Sequence, residues 1–182
     1  MDLTFQHLDG KSGLDVLTPV INPLYEATHA GKLSDPFYST ERFEERTRGY
    51  MQAPGFGLVV ASDDGQPVGQ AFGYTLPPNA RWWEGLTTPI DPELISETGD
   101  RTFAVNEIMV VPEYQRKHVA RNTHNELLRV RKEERATLLV DEANTPAVTA
   151  YERWGYHKIG NLKPFPDSPN FAAMILPLPF DE

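Results

Sequence analysis

The spacing of hydrophobic and polar positions changes period several times along this chain, and each change marks an element. Leu3-Thr4-Phe5-Gln6-His7-Leu8 alternates and then meets Asp9-Gly10, which predicts a first strand closed by a turn. Leu14, Leu17, Ile21 and Leu24 recur at helical spacing, but Pro19 and Pro23 lack the N–H a helix interior needs, so two helical pieces are expected. The second has Asn22 as N-cap, Pro23 at its first helical position and Gly31 past its end. A further helix runs from about Thr40 to Gln52, capped by Ser39, with Phe43, Thr47, Tyr50 and Met51 along one face. Gly57 to Ala61 and Pro67 to Tyr74, joined through Asp63-Asp64-Gly65, predict an antiparallel hairpin.

From Pro77 to about Arg101 the chain has no period and many turn residues, which is long for a loop in a compact domain. Its Trp82-Trp83 pair suits either a lid over a site or an anchor for the loop itself. Phe103 to Val111 is a strand closed by Pro112, Val119 to about Arg131 a helix with Thr123, Leu127 and Leu128 inward, and Ala136 to Val140 a buried strand. Strand, helix and strand make a βαβ unit, so the two strands should be parallel. Asn144 as N-cap, Pro146 in the first turn and Gly155 at the end bound another helix, which carries Ala147, Ala150, Tyr151 and Trp154. Tyr156 to Ile159 and Phe171 to Leu176 close the chain as strands on either side of a proline-bearing loop. The expectation is a single α/β domain spanning 1–182.

Composition narrows the function. Cysteine is absent, which excludes disulfides, thiolate metal sites and any route that parks an acyl group on a protein thiol, so acyl transfer would have to be direct. No apolar run approaches the ~20 residues of a membrane span, and Met1 to Phe5 do not resemble a secretory signal, so a soluble, cytoplasmic protein without a membrane partner is expected. A net charge of −9 argues against a sequence-independent grip on nucleic acid and suits a cationic partner such as an amine, although acidity for solubility explains it as well. His7, His29, His118, His124 and His157 show no paired ligand spacing, so no metal is expected.

Val110-Val111-Pro112-Glu113-Tyr114-Gln115-Arg116-Lys117-His118-Val119-Ala120-Arg121 resembles the acetyl-CoA signature of the GNAT acetyltransferases. Asn144-Thr145-Pro146-Ala147 followed by Ala150-Tyr151-Glu152-Arg153-Trp154-Gly155-Tyr156 is similar to the family's second motif. The resemblance covers roughly 103 to 160 and implies the GNAT fold, with about seven strands and flanking helices. It departs at His118, which stands where the family's first motif has a glycine, and at Arg116, where glycine is also common. Glycine there lets backbone N–H groups approach a pyrophosphate at a helix start. Arg116, Lys117 and Arg121 offer direct positive charge instead. Read alone, Gln115 to Arg121 is also an ordinary solvated helix start.

The resemblance implies acetyl-CoA as cosubstrate, with the backbone of Met109 and Val110 along the pantetheine arm and Gln115, Arg116, Lys117, His118, Val119, Ala120 and Arg121 around the pyrophosphate. Asn144 would touch the pantetheine, though its cap already explains it. Transfer to an amine that is mostly protonated at pH 7 requires a base. Glu107 is the candidate, since it shares a strand face with Phe103, Val105, Met109 and Val111, whose apolar character would raise its pKa. A structural carboxylate bonded to a loop or to Asn106 is the other reading. Tyr151 would protonate the departing thiolate by resemblance, or else serve as a core aromatic beside Trp154. The acceptor would be an amine of a small molecule or peptide, held by the early helices, the Trp82-Trp83 loop and the loop before the last strand. A homodimer stays open. So does a GNAT module that binds acyl-CoA without turnover, because of His118.

Overall fold

The computed structural model describes residues 1–180. Its elements are β1 (Leu3–Leu8), α1 (Gly10–Val16), a π-helical turn (Leu17–Ile21), α2 (Asn22–His29), a 3-10 turn (Pro36–Tyr38) and α3 (Thr40–Tyr50). The hairpin β2 (Gly57–Asp63) and β3 (Gln66–Thr75) follows, then β4 (Thr102–Val110), a second 3-10 turn (Pro112–Tyr114) and α4 (Val119–Arg129). The chain ends on β5 (Arg135–Asp141), α5 (Thr145–Arg153), β6 (His157–Leu162) and β7 (Phe171–Pro177). The strands form one seven-stranded mixed sheet in the order β1-β2-β3-β4-β5-β7-β6, with flanking helices, as the sequence predicts. Among the described residues no helix is long and apolar enough to cross a membrane.

The described residues fall into two compact units. The first holds Met1–Tyr74 and Val105–Val130, the second Thr75–Ala104 and the chain from Arg131 on. In the first, β1, β2 and β3 are antiparallel neighbours, and Asp64 and Gly65 both take positive φ (48° and 77°) at the hairpin turn. Positive φ at both central residues matches the right-handed twist of the flanking strands. A register shift at Ala61/Ser62, opposite Pro67 to Gly69, interrupts the alternation. Val68 packs with Ala61, Val110 and Val119, while Phe72 packs on the opposite side with Leu17, Ile21, Tyr25, Phe43, Leu58 and Met109. Gly69 sits where a Cβ would come within 3.0 Å of the Met109 carbonyl and 3.2 Å of Val110 Cγ2, so only glycine lets β3 lie this close to the signature strand.

The two expected helical pieces differ from the structure in one respect. Pro19 and Pro23 do not break the segment, which runs on through the π-helical turn. There the Asn22 N–H reaches back five residues to the Leu17 carbonyl, a widening that absorbs the donors the prolines lack. Asn22 is therefore helical and not an N-cap; it is buried, and its side-chain amide donates to Glu44 on α3. The real cap of this segment is Asp9, whose carboxylate accepts the Ser12 N–H at 2.8 Å, with Ser12 Oγ returning the bond to the Asp9 N–H. Ser39 caps α3 as expected, and Phe43, Thr47 and Met51 are buried on its inner face.

In the second unit β7 lies between β5 and β6, antiparallel to both. Leu86 makes an isolated bridge to Leu162 and Trp83 is buried, so the long 76–101 segment is tied to the body of its own unit without regular structure.

Candidate active site

Each predicted site residue lies in one of the two units, and each unit is described by itself. In the first, the strand, turn and helix of the signature are present. Met109 and Val110 are buried at the end of β4, the 3-10 turn follows, and Gln115 to His118 form an exposed turn into α4. Gln115 Nε2 donates to the Val110 carbonyl at 3.2 Å, which ties the turn to the strand end. Arg116 and His118 both adopt left-handed backbone (φ 59° and 62°). These are the two positions where the resembled motif favours glycine, and the backbone takes glycine's conformation while bearing side chains. A non-glycine residue held there costs about 1–3 kcal/mol, so the surrounding structure must impose it.

The turn leaves donors open. His118 occupies the N-cap position of α4 without a side-chain cap bond, so the N–H groups of Val119, Ala120 and Arg121 have no intrahelical partner. Left-handed residues interleaved in such a turn point successive N–H groups into a concavity that suits an anion, and the helix dipole adds to it. Arg116 and Lys117 are exposed beside it; Lys117 Nζ lies 5.1 Å over the Tyr114 ring, whose hydroxyl donates to Asp63 at 2.9 Å. Arg121 is half-buried. These residues fit the diphosphate of a coenzyme A.

On the opposite sheet face of the same unit, Glu107 lies within electrostatic reach of Tyr25 on α2 and of Arg46 and Tyr50 on α3. Burial raises its pKa to about 7, and the positive charge of Arg46 on α3 only partly opposes that. Tyr25 is pushed up to about 12 by burial first and by the Glu107 charge second. Its ring stacks on Phe43 at 3.9 Å and on His29 at 4.2 Å, and its hydroxyl donates to the Tyr38 carbonyl at 2.9 Å. Tyr50 and Tyr74 stack at 5.5 Å, and both have hydroxyls whose pKa burial raises. Met109 receives a contact from Thr28 Oγ1 at 3.4 Å and lies 4.0 Å from Gln70 Nε2. Asn106 Oδ1 is buried without a hydrogen-bond partner.

Sequence reading missed the Arg46 contribution, along with those of Tyr25, Thr28, Gln70 and Tyr74. A signal for Arg46 was available: it lies three residues past Phe43 and four before Tyr50, hence on the inner face of α3. A charged residue on that face was easily passed over.

In the second unit Asn144 caps α5, its Oδ1 accepting the Ala147 N–H at 3.3 Å, and Gly155 ends that helix at φ 97°. Tyr151 is half-buried and meets Trp154 and Tyr156 edge-on, with ring centroids 5.2 and 5.9 Å away. The aromatic packing weighed for Tyr151 is thus present, alongside whatever chemistry it carries. Trp83 N–H donates to Glu97 at 2.9 Å, so this tryptophan anchors its loop; Trp82 is half-buried with Nε1 unpartnered.

A mixed sheet flanked by helices, with an open anion-binding turn between β4 and α4, is the frame of an acyl-CoA-dependent acetyltransferase. The model of the Acetyltransferase (GNAT) family matches residues 21–156, and the chain belongs to that family. No curated protein sequence matches it. Among solved structures it is similar to PH1933 from Pyrococcus horikoshii OT3, with a TM-score of 0.69, 18% identity, and 97% and 98% of the two chains covered. It is also similar to the PaiA N-acetyltransferase of Thermoplasma acidophilum in complex with coenzyme A (TM-score 0.59, 15% identity, 97% and 99% covered). A third is the ribosomal-protein-S18-alanine N-acetyltransferase of Escherichia coli (TM-score 0.63, 19% identity, 100% and 97% covered). Identities this low speak for the fold.

Proposed function

We propose that this protein moves the acetyl group of acetyl-CoA directly to a primary amine, with Glu107 as general base. The observation that carries the reading is the Glu107 carboxyl, buried beside Tyr25, Tyr50 and Arg46 and poised at about 7. A base with a pKa near the working pH is both ionised and basic enough to accept a proton. Acetyl-CoA supplies the activated thioester, and the uncapped turn at 116–121 would hold its diphosphate. The backbone of Met109 and Val110 would lie along the pantetheine arm, and Asn144 would touch it.

Glu107 takes a proton from the ammonium form of the acceptor, directly or through water, and frees the nitrogen lone pair. The C–N bond then forms as the C–S bond breaks, the nitrogen releases its second proton to solvent, and by resemblance Tyr151 would supply the proton that the thiolate takes up. The family assignment and the PaiA complex with coenzyme A support the cosubstrate; the S18-alanine enzyme supports an amine acceptor. The non-turnover alternative rested on His118. Because His118 takes left-handed backbone with an exposed side chain, it leaves the concavity of the turn open, and we prefer the enzyme.

Calorimetric titration with acetyl-CoA, followed by thiol release across an amine panel, tests the reading. Micromolar binding together with turnover that Glu107→Gln abolishes is expected. Binding without turnover on any amine would return the protein to the non-enzymatic reading.

A further inference from the structure

On the inner face of α3 one nitrogen of a guanidinium is left without a hydrogen-bond partner. Arg46 Nη1 is buried and has no hydrogen-bond partner. Leaving a charged donor unpaired away from water is costly, and most proteins avoid it. The guanidinium is held in place all the same: it lies 5.7 Å over the Phe37 ring, and it acts by charge and hydrogen bonding on Tyr25. Arg42, one turn earlier, lies 4.8 Å over the same ring, and Lys32 lies 4.9 Å over Tyr38. Three cationic side chains of the α2–α3 segment, Lys32, Arg42 and Arg46, thus lie over aromatic rings. His29 is kept less basic there by burial first and by Lys32 and Arg46 after it.

Arg46 is not consumed as the counter-ion of Glu107. A carboxylate closely paired with a guanidinium falls below its usual pKa, whereas Glu107 lies well above. A proton acceptor and a cation therefore stand near one another, each incompletely matched. Gln70 Oε1, fully buried on β3 beside Met109, is likewise without a partner. The complement of this arrangement is a molecule with an amine toward Glu107 and an anionic oxygen toward Arg46.

We propose that the acceptor is a small amino-carboxylate, of the free amino acid class, whose amine goes to Glu107 and whose carboxylate is held by Arg46. This rests on the transferase reading above and sharpens its acceptor from any amine to one that carries its own anion. Arg46 is a specificity-determining residue in this scheme, since a guanidinium matches the planar carboxylate with parallel N–H groups.

The test measures thiol release by the full chain at saturating acetyl-CoA, with each of the twenty amino acids paired against its carboxamide, plus polyamines and peptides with free amino termini. One or more amino acids should exceed their carboxamides in kcat/KM by about 10- to 100-fold, the worth of one charge-assisted hydrogen bond. Arg46→Gln should bring that ratio close to one, and Arg46→Lys should restore part of it. Melting curves of both variants check that they fold. Equal or better use of carboxamides, polyamines or peptide amino termini would overturn the proposal, as would a ratio that Arg46→Gln leaves intact. If coenzyme A binds but no amine is acetylated, the transferase reading falls, and thermal shifts with the same amino acids and carboxamides in the presence of coenzyme A decide the rest. Stabilisation by amino acids alone, lost in Arg46→Gln, upholds the Arg46 site; no such stabilisation overturns it.

Discussion

Two glutamates, a buried one in the second unit and a half-buried one in the first, are treated in opposite ways. Glu97 in the second unit is saturated on one oxygen: Oε1 accepts from Trp83 at 2.9 Å, Thr102 at 3.0 Å and Arg135 at 3.1 Å. Its side chain is 2% exposed and that of Arg135 is 7% exposed. For Glu107 in the first unit, burial raises the pKa and the Arg46 charge only partly opposes it. Burial alone therefore does not mark a reactive carboxylate. What matters is whether neighbours bond the charged form, as Trp83, Thr102 and Arg135 do at Glu97 Oε1, or leave desolvation to favour the protonated form, as at Glu107.

Removing the poised carboxylate should have the largest effect. Glu107→Gln is expected to lower kcat by about 10²–10⁴-fold, the usual contribution of a positioned base, with coenzyme binding retained by calorimetry. The wild-type rate should fall about tenfold per pH unit below the Glu107 pKa of about 7, because only the ionised base works. Removing the Glu97 carboxylate, which is bonded through Oε1, should instead damage the fold. Glu97→Gln strands the Arg135 guanidinium and should cost about 3–5 kcal/mol, read as a fall in Tm of about 10 °C. Replacing both residues with apolar ones of similar size should recover most of that loss; if it does not, the two glutamates differ less than the contacts imply.

The third effect has a sign that separates the pair. Glu107 is ionised in the unfolded chain above about 4.5 but in the folded protein only above about 7. Its ionisation therefore opposes folding, by nothing below 4.5 and increasingly up to 7. Glu107→Gln should gain stability over wild type across that window, up to about 3 kcal/mol above it, in denaturant titrations at several pH values. Arg46→Gln removes the cation that opposes this shift, so the acid limb of the rate profile should move to higher pH. Smallest of all, His118→Gly should stabilise the protein by up to about 1 kcal/mol, because glycine takes φ 62° without the Cβ penalty.

Much of the fold was legible because its boundaries are marked by residues with one strong local preference. Ser39 and Asn144 cap their helices, Asp64-Gly65 turns the hairpin, and Gly155 ends α5 in the left-handed region. The segment with Pro19 and Pro23 escaped that logic, since a π-helical turn satisfies through a longer hydrogen bond what local rules treat as a break. Period and apolar alternation also singled out Glu107, because they place it on a face shared with Met109.

By itself the sequence determined the order and type of most elements, the signature turn before α4, and the glutamate on β4, all of which depend on neighbours a few residues apart. Only the tertiary structure decided that Arg116 and His118 take glycine's backbone, that Arg46 keeps one nitrogen unpartnered on the inner face of α3, and that Glu97 meets Trp83, Thr102 and Arg135. Those outcomes depend on desolvation and charge supplied by residues up to about eighty positions away, from Tyr25 on α2 and Arg46 on α3 to Glu107 on β4, and spacing along the chain carries no record of them.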